Sequence, residues 1–269
     1  MRAAIVTGAS SGMGKQFVLQ LEKYVQVDEI WVIARRKNAL EKFDGLLKAR
    51  VRIMPMDLTE EGSLETYANT LERVKPDVAL LVNCAGYGKF GKGENIALDD
   101  SLGMIDLNCR ALVGITELTL PYMSKGSHVV NLDSLSAFQP VPYMTVYGAT
   151  KAFVLSYSRA MNRELKERGI RMMSVNPGWV KTEFFDTAIT TNHSDVNYFN
   201  KLYEPEDVVA TALWDLYKTR KDVSIHGFPV RMQVRLVKLL PHSLIMSIWQ
   251  KQQKKEKNSQ NLTTKNRHS

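Results

Sequence analysis

Short apolar runs alternate with amphipathic stretches along most of the 269-residue chain. Residues 3–7, 30–34, 51–54, 78–82, 127–132 and 170–175 are apolar runs of strand length bounded by turn or polar residues, and predict buried strands. Between them apolar positions recur at helical spacing, beginning with Phe17, Val18, Leu21 and Tyr24. Asn38 is a candidate N-cap for a helix over residues 39–48. Further helices are expected over 61–74, broken by Pro76-Asp77, and over 98–123. Another carries Tyr147 and runs to Arg168, where Gly169 stops it, and the next opens with Pro205 at an N1-like position and ends near Tyr217. Strict strand–helix alternation predicts an α/β fold: a doubly wound parallel sheet with helices on both faces and a C-terminal helical extension. With no internal repeat and no linker before residue 250, residues 1–250 are expected to form a single domain. Residues 251–269, polar and basic, are expected to be a tail without fixed structure.

Composition narrows this picture. A hydrophobic content of 44% supports a sizeable core. The two cysteines, Cys84 and Cys109, lie in apolar segments and are expected as reduced thiols in a cytoplasmic protein. The N-terminal apolar run is too short for a signal sequence, and no window reaches membrane-spanning length. The net charge is +8, but Lys251, Lys254, Lys255, Lys257, Lys265 and Arg267 face a single Glu256 in the tail. The rest is mildly basic and carries no recognisable nucleic-acid motif, so no nucleic-acid partner is expected. No metal site is expected either.

Candidate chemistry sits at the strand ends. Gly8-x-x-x-Gly12-x-Gly14 follows the first strand and opens a helix, an arrangement that presents backbone N–H groups to a phosphate. It is neither Gly-x-Gly-x-x-Gly nor a P-loop, because Lys15 is followed by Gln16. Tyr147 and Lys151 are four apart and share a helix face, so the ammonium is expected to lower the phenol pKa. Ser134 lies thirteen residues before Tyr147, at a strand end. Taken alone, a Tyr–Lys pair at this spacing is equally an ordinary exposed pair.

Taken together, Thr7-Gly8-Ala9-Ser10-Ser11-Gly12-Met13-Gly14, Asp57, Asn83-Cys84-Ala85-Gly86, Asn108, Ser134, Tyr147-x-x-x-Lys151 and Pro177-Gly178 resemble the short-chain dehydrogenase/reductase family, over about two-thirds of the chain. The resemblance implies a Rossmann-type sheet of about seven strands, a nicotinamide cofactor and interconversion of a ketone with a secondary alcohol. It implies Tyr147 as acid and base, Lys151 on the phenol and nicotinamide ribose, Ser134 on the substrate oxygen, and Asn108 holding a water in a relay to Lys151. Cofactor contacts are expected from Gly8, Ser10, Ser11, Gly12, Met13 and Gly14. Asp57 and Leu58 would meet the adenine, with Asn83, Ala85 and Gly86 under its ribose. Pro177, Gly178, Val180 and Thr182 would flank the nicotinamide, beside Asn108, Tyr147 and Lys151. Cys84 departs from the family's usual asparagine, with small expected consequences.

The second strand ends Ala34-Arg35-Arg36, with no carboxylate to accept a ribose 2′-hydroxyl. Arginine forks fit a 2′-phosphate, which predicts NADP(H) rather than NAD(H). Residues 183–204 are expected to be the substrate loop. Ser136, Phe138, Tyr143, Phe184 and Phe185 suggest an apolar pocket for a bulky substrate, a steroid or acyl ketone among the options, as in hydroxysteroid dehydrogenases and carbonyl reductases. A catalytically silent NADP(H)-binding regulator on the same fold is the alternative. A homodimer or homotetramer is expected. Residues 230–250 place Arg231, Arg235, Lys238 and His242 at helical spacing beside apolar positions. A lid or dimer contact is the first reading of that segment and membrane-surface contact the second.

Overall fold

A computed structural model describes residues 1–189, 195–199 and 201–265, with side chains to residue 256. Residues 190–194 and 200 of the expected substrate loop lie outside the described residues, as do residues 266–269. The elements follow in the expected alternation: β1 Arg2–Thr7, α1 Gly12–Gln20, β2 Glu29–Ala34, α2 Lys37–Leu40, β3 Arg50–Pro55, α3 Ser63–Val74 and β4 Asp77–Asn83. Then come α4 Leu98–Ile105, a π-helical segment Asp106–Ala111, α5 Leu112–Thr119, β5 His128–Leu132, α6 Thr145–Glu164 and β6 Arg171–Val175. The C-terminal part carries β7 Trp179–Val180, α7 Phe184–Ala188, β8 Leu202–Tyr203, α8 Pro205–Lys218, β9 Val223–Ser224, α9 Phe228–Val237 and α10 His242–Lys265.

Seven strands form one parallel sheet in the order β3-β2-β1-β4-β5-β6-β9. The chain winds outward from β1 in both directions, so loops at the carboxyl ends of β1 and β4 meet at the switch point where the order reverses. Central strands are buried on both faces, which is why β1 and β2 read as near-continuous apolar runs. One face packs α1 and α8 through Phe17, Val18, Val209 and Leu213. The other packs α3, α5 and α6 through Tyr67, Leu71, Ile115 and Leu165.

Three expectations change. The helix expected over 39–48 is only the turn-long α2 and a 3-10 turn, Glu41–Phe43, ending before the left-handed Gly45. The seventh strand, β9, is two residues long, too short for an apolar period to reveal. The segment after residue 250 is helical rather than a tail without fixed structure: α10 runs on to Lys265. Lys and Gln are good helix formers, and the buried Gln253 ties α10 down.

Candidate active site

A cavity of about 1120 Å³ opens above the carboxyl ends of the strands. That exceeds the usual range for one drug-sized ligand, roughly 300–1,000 Å³, and suits a dinucleotide with a substrate beside it. Its floor is the glycine loop. Gly8 has φ +66, and a Cβ there would lie 2.7 Å from the Ala85 nitrogen. A Cβ on Gly14 would collide with the Gly8 carbonyl. The loop therefore closes onto α1, and Ser11, the N-cap, spends no side-chain bond on the helix. Thr7 Oγ1 accepts from the N–H groups of both Cys84 and Ala85, at 3.1 Å each, which brings the end of β4 against the loop.

Tyr147 and Lys151 are both buried on the cavity side of α6. The Ser134 side chain faces the Tyr147 phenol and favours its ionised form. Ser134 is fixed from several directions: its N–H donates to Asp133 Oδ1, its carbonyl accepts from Asn176 Nδ2, and its Oγ accepts from Ser136 N. Phe90 and Phe184 pack on the Tyr147 ring with centroids 5.8 and 5.5 Å away. Gly88 lets the loop after β4 cross that ring, since a Cβ would sit 2.8 Å from Tyr147 Cδ2.

The Tyr147 pKa lies above the ordinary phenol value in this arrangement, not below it as the Tyr–Lys spacing suggested. Lys151 Nζ donates to the Leu132 carbonyl at 2.8 Å and stands 5.7 Å from the Tyr147 ring centre. Burial pushes the phenol up against the pull of the Ser134 side chain, and the Asp133 carboxylate adds to the rise. Burial pushes the Lys151 ammonium down, opposed by Asp133 and the two thiols. Burial pushes the Cys84 thiol up to about 12 and the half-buried Cys109 thiol up to about 11, with Lys151 opposing both.

Asn108 lies in the π-helical segment, a feature common at functional sites. Its Oδ1 accepts from Tyr87 N, and its Nδ2 donates to Tyr87 O and Thr150 Oγ1. Both donors are thus used in fixing Tyr87 and α6, and one Oδ1 lone pair is all its side chain offers a relay. Asn83 does not line the cavity: its Nδ2 donates to Thr116 and Asn131 inside the sheet. Tyr143 is likewise absent from the wall. It packs against the cluster around Met144 and Tyr147, with a left-handed φ of 68° rare for an aromatic residue.

The other expected cofactor residues converge. Ser10, Ser11, Gly12, Met13, Arg35 and Arg36 line the cavity with Asp57, Leu58, Ala85 and Gly86. Pro177, Gly178, Val180 and Thr182 line it near Tyr147. Arg35 extends into solvent, its Nη1 3.8 Å from Asp57 Oδ2. Arg36 bridges Ser10 Oγ and Glu183. Burial pushes the Asp57 carboxyl up, but its bonds from Thr59 and the nearby Arg35 outweigh that and hold it low. A nicotinamide dinucleotide fits these residues: the glycine cradle needs a close backbone approach, and Ser136 Oγ and Gln139 Oε1 are buried at the wall without protein partners.

Part of the cavity wall is aromatic. Phe138, Phe184, Phe185 and Tyr198 all line the cavity. The sequence reading overlooked one part. Asp133, buried beneath Ser134, accepts from Asn176 Nδ2 at 2.8 Å, and its Oδ2 lies 3.0 Å from Ser174 Oγ. A carboxylate at the end of an apolar strand was the available signal. The segment first read as a lid or dimer contact turns the inner face of α9–α10 to the cavity, through Gln233, Val237, Ile245 and Trp249. Trp249 Nε1 donates to the Pro142 carbonyl, and Gln253 Oε1 accepts from the N–H groups of Asn197 and Tyr198. Among the described residues no cluster could hold a metal ion, and no helix is long and apolar enough to cross a membrane.

A sheet whose switch point carries a glycine cradle, with a Ser–Tyr–Lys set beside it, defines a dinucleotide-dependent oxidoreductase. The sequence profile described as short chain dehydrogenase matches residues 2–193, and the chain belongs to that family. Similar proteins include an uncharacterised oxidoreductase of Staphylococcus aureus, 28% identical over 233 residues, covering 86% of this chain and 96% of that protein. An uncharacterised oxidoreductase of Staphylococcus epidermidis is 30% identical over 183 residues, covering 67% of this chain and 79% of that protein. A solved short-chain dehydrogenase from Sphingobium yanoikuyae in complex with NADPH is 25% identical, with a TM-score of 0.74 over 91% of this chain and 95% of that one.

Proposed function

We propose that the protein interconverts a fairly bulky apolar ketone, of steroid or acyl type, and its secondary alcohol with NADP(H). The observation that carries this is the convergence of Ser134, Tyr147 and Lys151 on one wall of a cavity lined by Phe90, Phe138, Phe184 and Trp249. Bound nicotinamide supplies or accepts the hydride. Tyr147 Oη holds the proton that the carbonyl oxygen takes up on reduction and the alcohol loses on oxidation. Ser134 Oγ, with its backbone pinned by Asp133 and Asn176, orients that oxygen and stabilises its developing charge. Lys151, held by the Leu132 carbonyl, supplies positive charge beside Tyr147. Phe90, Phe184 and Trp249 keep water from the reacting carbon.

Preference for NADP(H) rests on Arg35 and Arg36 at the cavity wall. Asp57 is already partnered by Thr59 and stands 3.8 Å from Arg35 Nη1. The NADPH complex of the Sphingobium relative agrees with this choice. A silent NADP(H)-binding regulator would have no need for Ser134, Tyr147 and Lys151 to converge on one wall.

The test is NADPH consumption across ketones graded by size and polarity. Bulky apolar ketones are the expected substrates. Tyr147→Phe should lower turnover by about 10²–10⁴-fold while NADPH still binds. Undiminished turnover would remove Tyr147 as the acid, and no turnover with any ketone would favour the regulator.

A further inference from the structure

The inner face of α9–α10 belongs to the cavity, but among the described residues nothing covers the apolar side chains of its outer face. Phe228 and Leu239 are 68% and 81% exposed, and Met232, Leu236, Leu244 and Ile248 are exposed with them. Phe228, Met232 and Leu236 recur every fourth residue, so they form a stripe along α9. Val230 and Val234 point the opposite way and are buried. Arg231, Arg235 and Lys238, all exposed, flank the stripe on one side. Their segment contains no acid: residues 223–255 carry six Lys and Arg and no Asp or Glu. Met232, Leu236 and Ile248 also line the cavity, so its mouth lies within this patch.

We propose that the outer face of α9–α10 docks on an anionic lipid bilayer surface, with the mouth of the cavity turned toward it. Apolar side chains flanked by cations, without carboxylates, are what an anionic interface binds. A second copy fits less well. A two-fold contact would set this patch against itself and bring cations together with no acid to pair them. No described helix can span a bilayer, so the contact is interfacial. This inference is independent of the redox reading, because it rests on the outer surface alone.

The test is co-sedimentation of the full chain with phosphatidylserine–phosphatidylcholine vesicles, compared with phosphatidylcholine alone. Binding to the anionic vesicles only, weakened by added salt, is expected. Joint replacement Arg231→Gln, Arg235→Gln and Lys238→Gln should weaken it about fivefold for each cation, roughly a hundredfold in all. Joint replacement Phe228→Ser, Leu239→Ser and Leu244→Ser, at positions outside the cavity wall, should abolish it with charge unchanged. Circular dichroism identifies any variant that has lost its fold, and the salt and lipid dependence of the unmodified protein decides the matter without variants. Absence of binding to anionic vesicles, equal binding to neutral ones, or a solution dimer that the serine variant dissolves would overturn the proposal.

Discussion

Replacing Asp133 with Asn tests the electrostatics beneath Ser134. Burial pushes the Asp133 carboxyl up to about 7, against the pull of Lys151 and the donors Asn176, Ser174 and Ser134 N–H. Hydrogen bonding supports the protonated form independently. Ser174 Oγ lies 3.0 Å from Asp133 Oδ2 and 2.8 Å from Asn176 Oδ1, yet it has one proton for these two acceptors. A protonated Oδ2 donating to Ser174, which then donates to Asn176, satisfies all three groups. The folded value lies above that of an unfolded aspartate, about 3.9. This group therefore contributes stability that is full below the unfolded value and is lost as pH rises through about 7. Between about pH 5 and pH 8 the loss is roughly 3 kcal/mol. Asn cannot titrate, and it leaves a donor facing a donor, at a cost of about 1–3 kcal/mol throughout. Urea unfolding of both proteins across this range should show the stability gap narrowing by roughly 3 kcal/mol as pH rises, the parent losing ground to the variant. Parallel curves would refute the reasoning, since Asp133 would then be ionised across the range.

Gly14→Ala should cost about 1–3 kcal/mol by unfolding and weaken NADPH binding, because the methyl group collides with the Gly8 carbonyl. Arg35→Asp should move the NADPH-to-NADH ratio of kcat/KM toward NADH by at least about tenfold, one charge-assisted contact being worth about 1.5–3 kcal/mol. An unchanged ratio would take Arg35 off the 2′-phosphate. Gln253→Ala removes the acceptor shared by Asn197 and Tyr198, so both amides should exchange faster by hydrogen–deuterium exchange, with α6 unaffected.

The sheet was legible because its strands are buried on both faces and separated by helical periods, a signal that does not depend on contacts between distant residues. The glycine loop and the Ser134–Tyr147–Lys151 spacing were legible for a similar reason: each is a local pattern whose geometry follows from one strand end or one helix face. Asn83 and Tyr143 were misplaced because a strand or loop end does not reveal which way a side chain turns. Asn83 turns into the sheet, and Tyr143 packs behind Met144. The electrostatics of Lys151 were misjudged for a further reason. Helical spacing gave its proximity to Tyr147, but the Leu132 carbonyl that holds its ammonium comes from another element. The α9–α10 segment was read first as a lid or dimer contact, but its apolar positions alone could not separate those two until the cavity was seen beneath them.

The inward turn of Asn83 has a consequence for how the chain finds its fold. Its amide reaches Thr116 on α5 and Asn131 on β5, and Asn131 reaches Ser158 on α6. Thr116 and Ser158 in turn donate to carbonyls of their own helices. Four elements are thereby threaded on one polar line through an otherwise apolar layer. A one-residue slip of β4 against β5 would strand two carboxamides in hydrocarbon, at about 1–3 kcal/mol for each unmet group. Apolar strands of similar residues tolerate misalignment; this pair penalises it, and so proofreads the alignment of the two strands that carry Ala85 and Ser134 to the site.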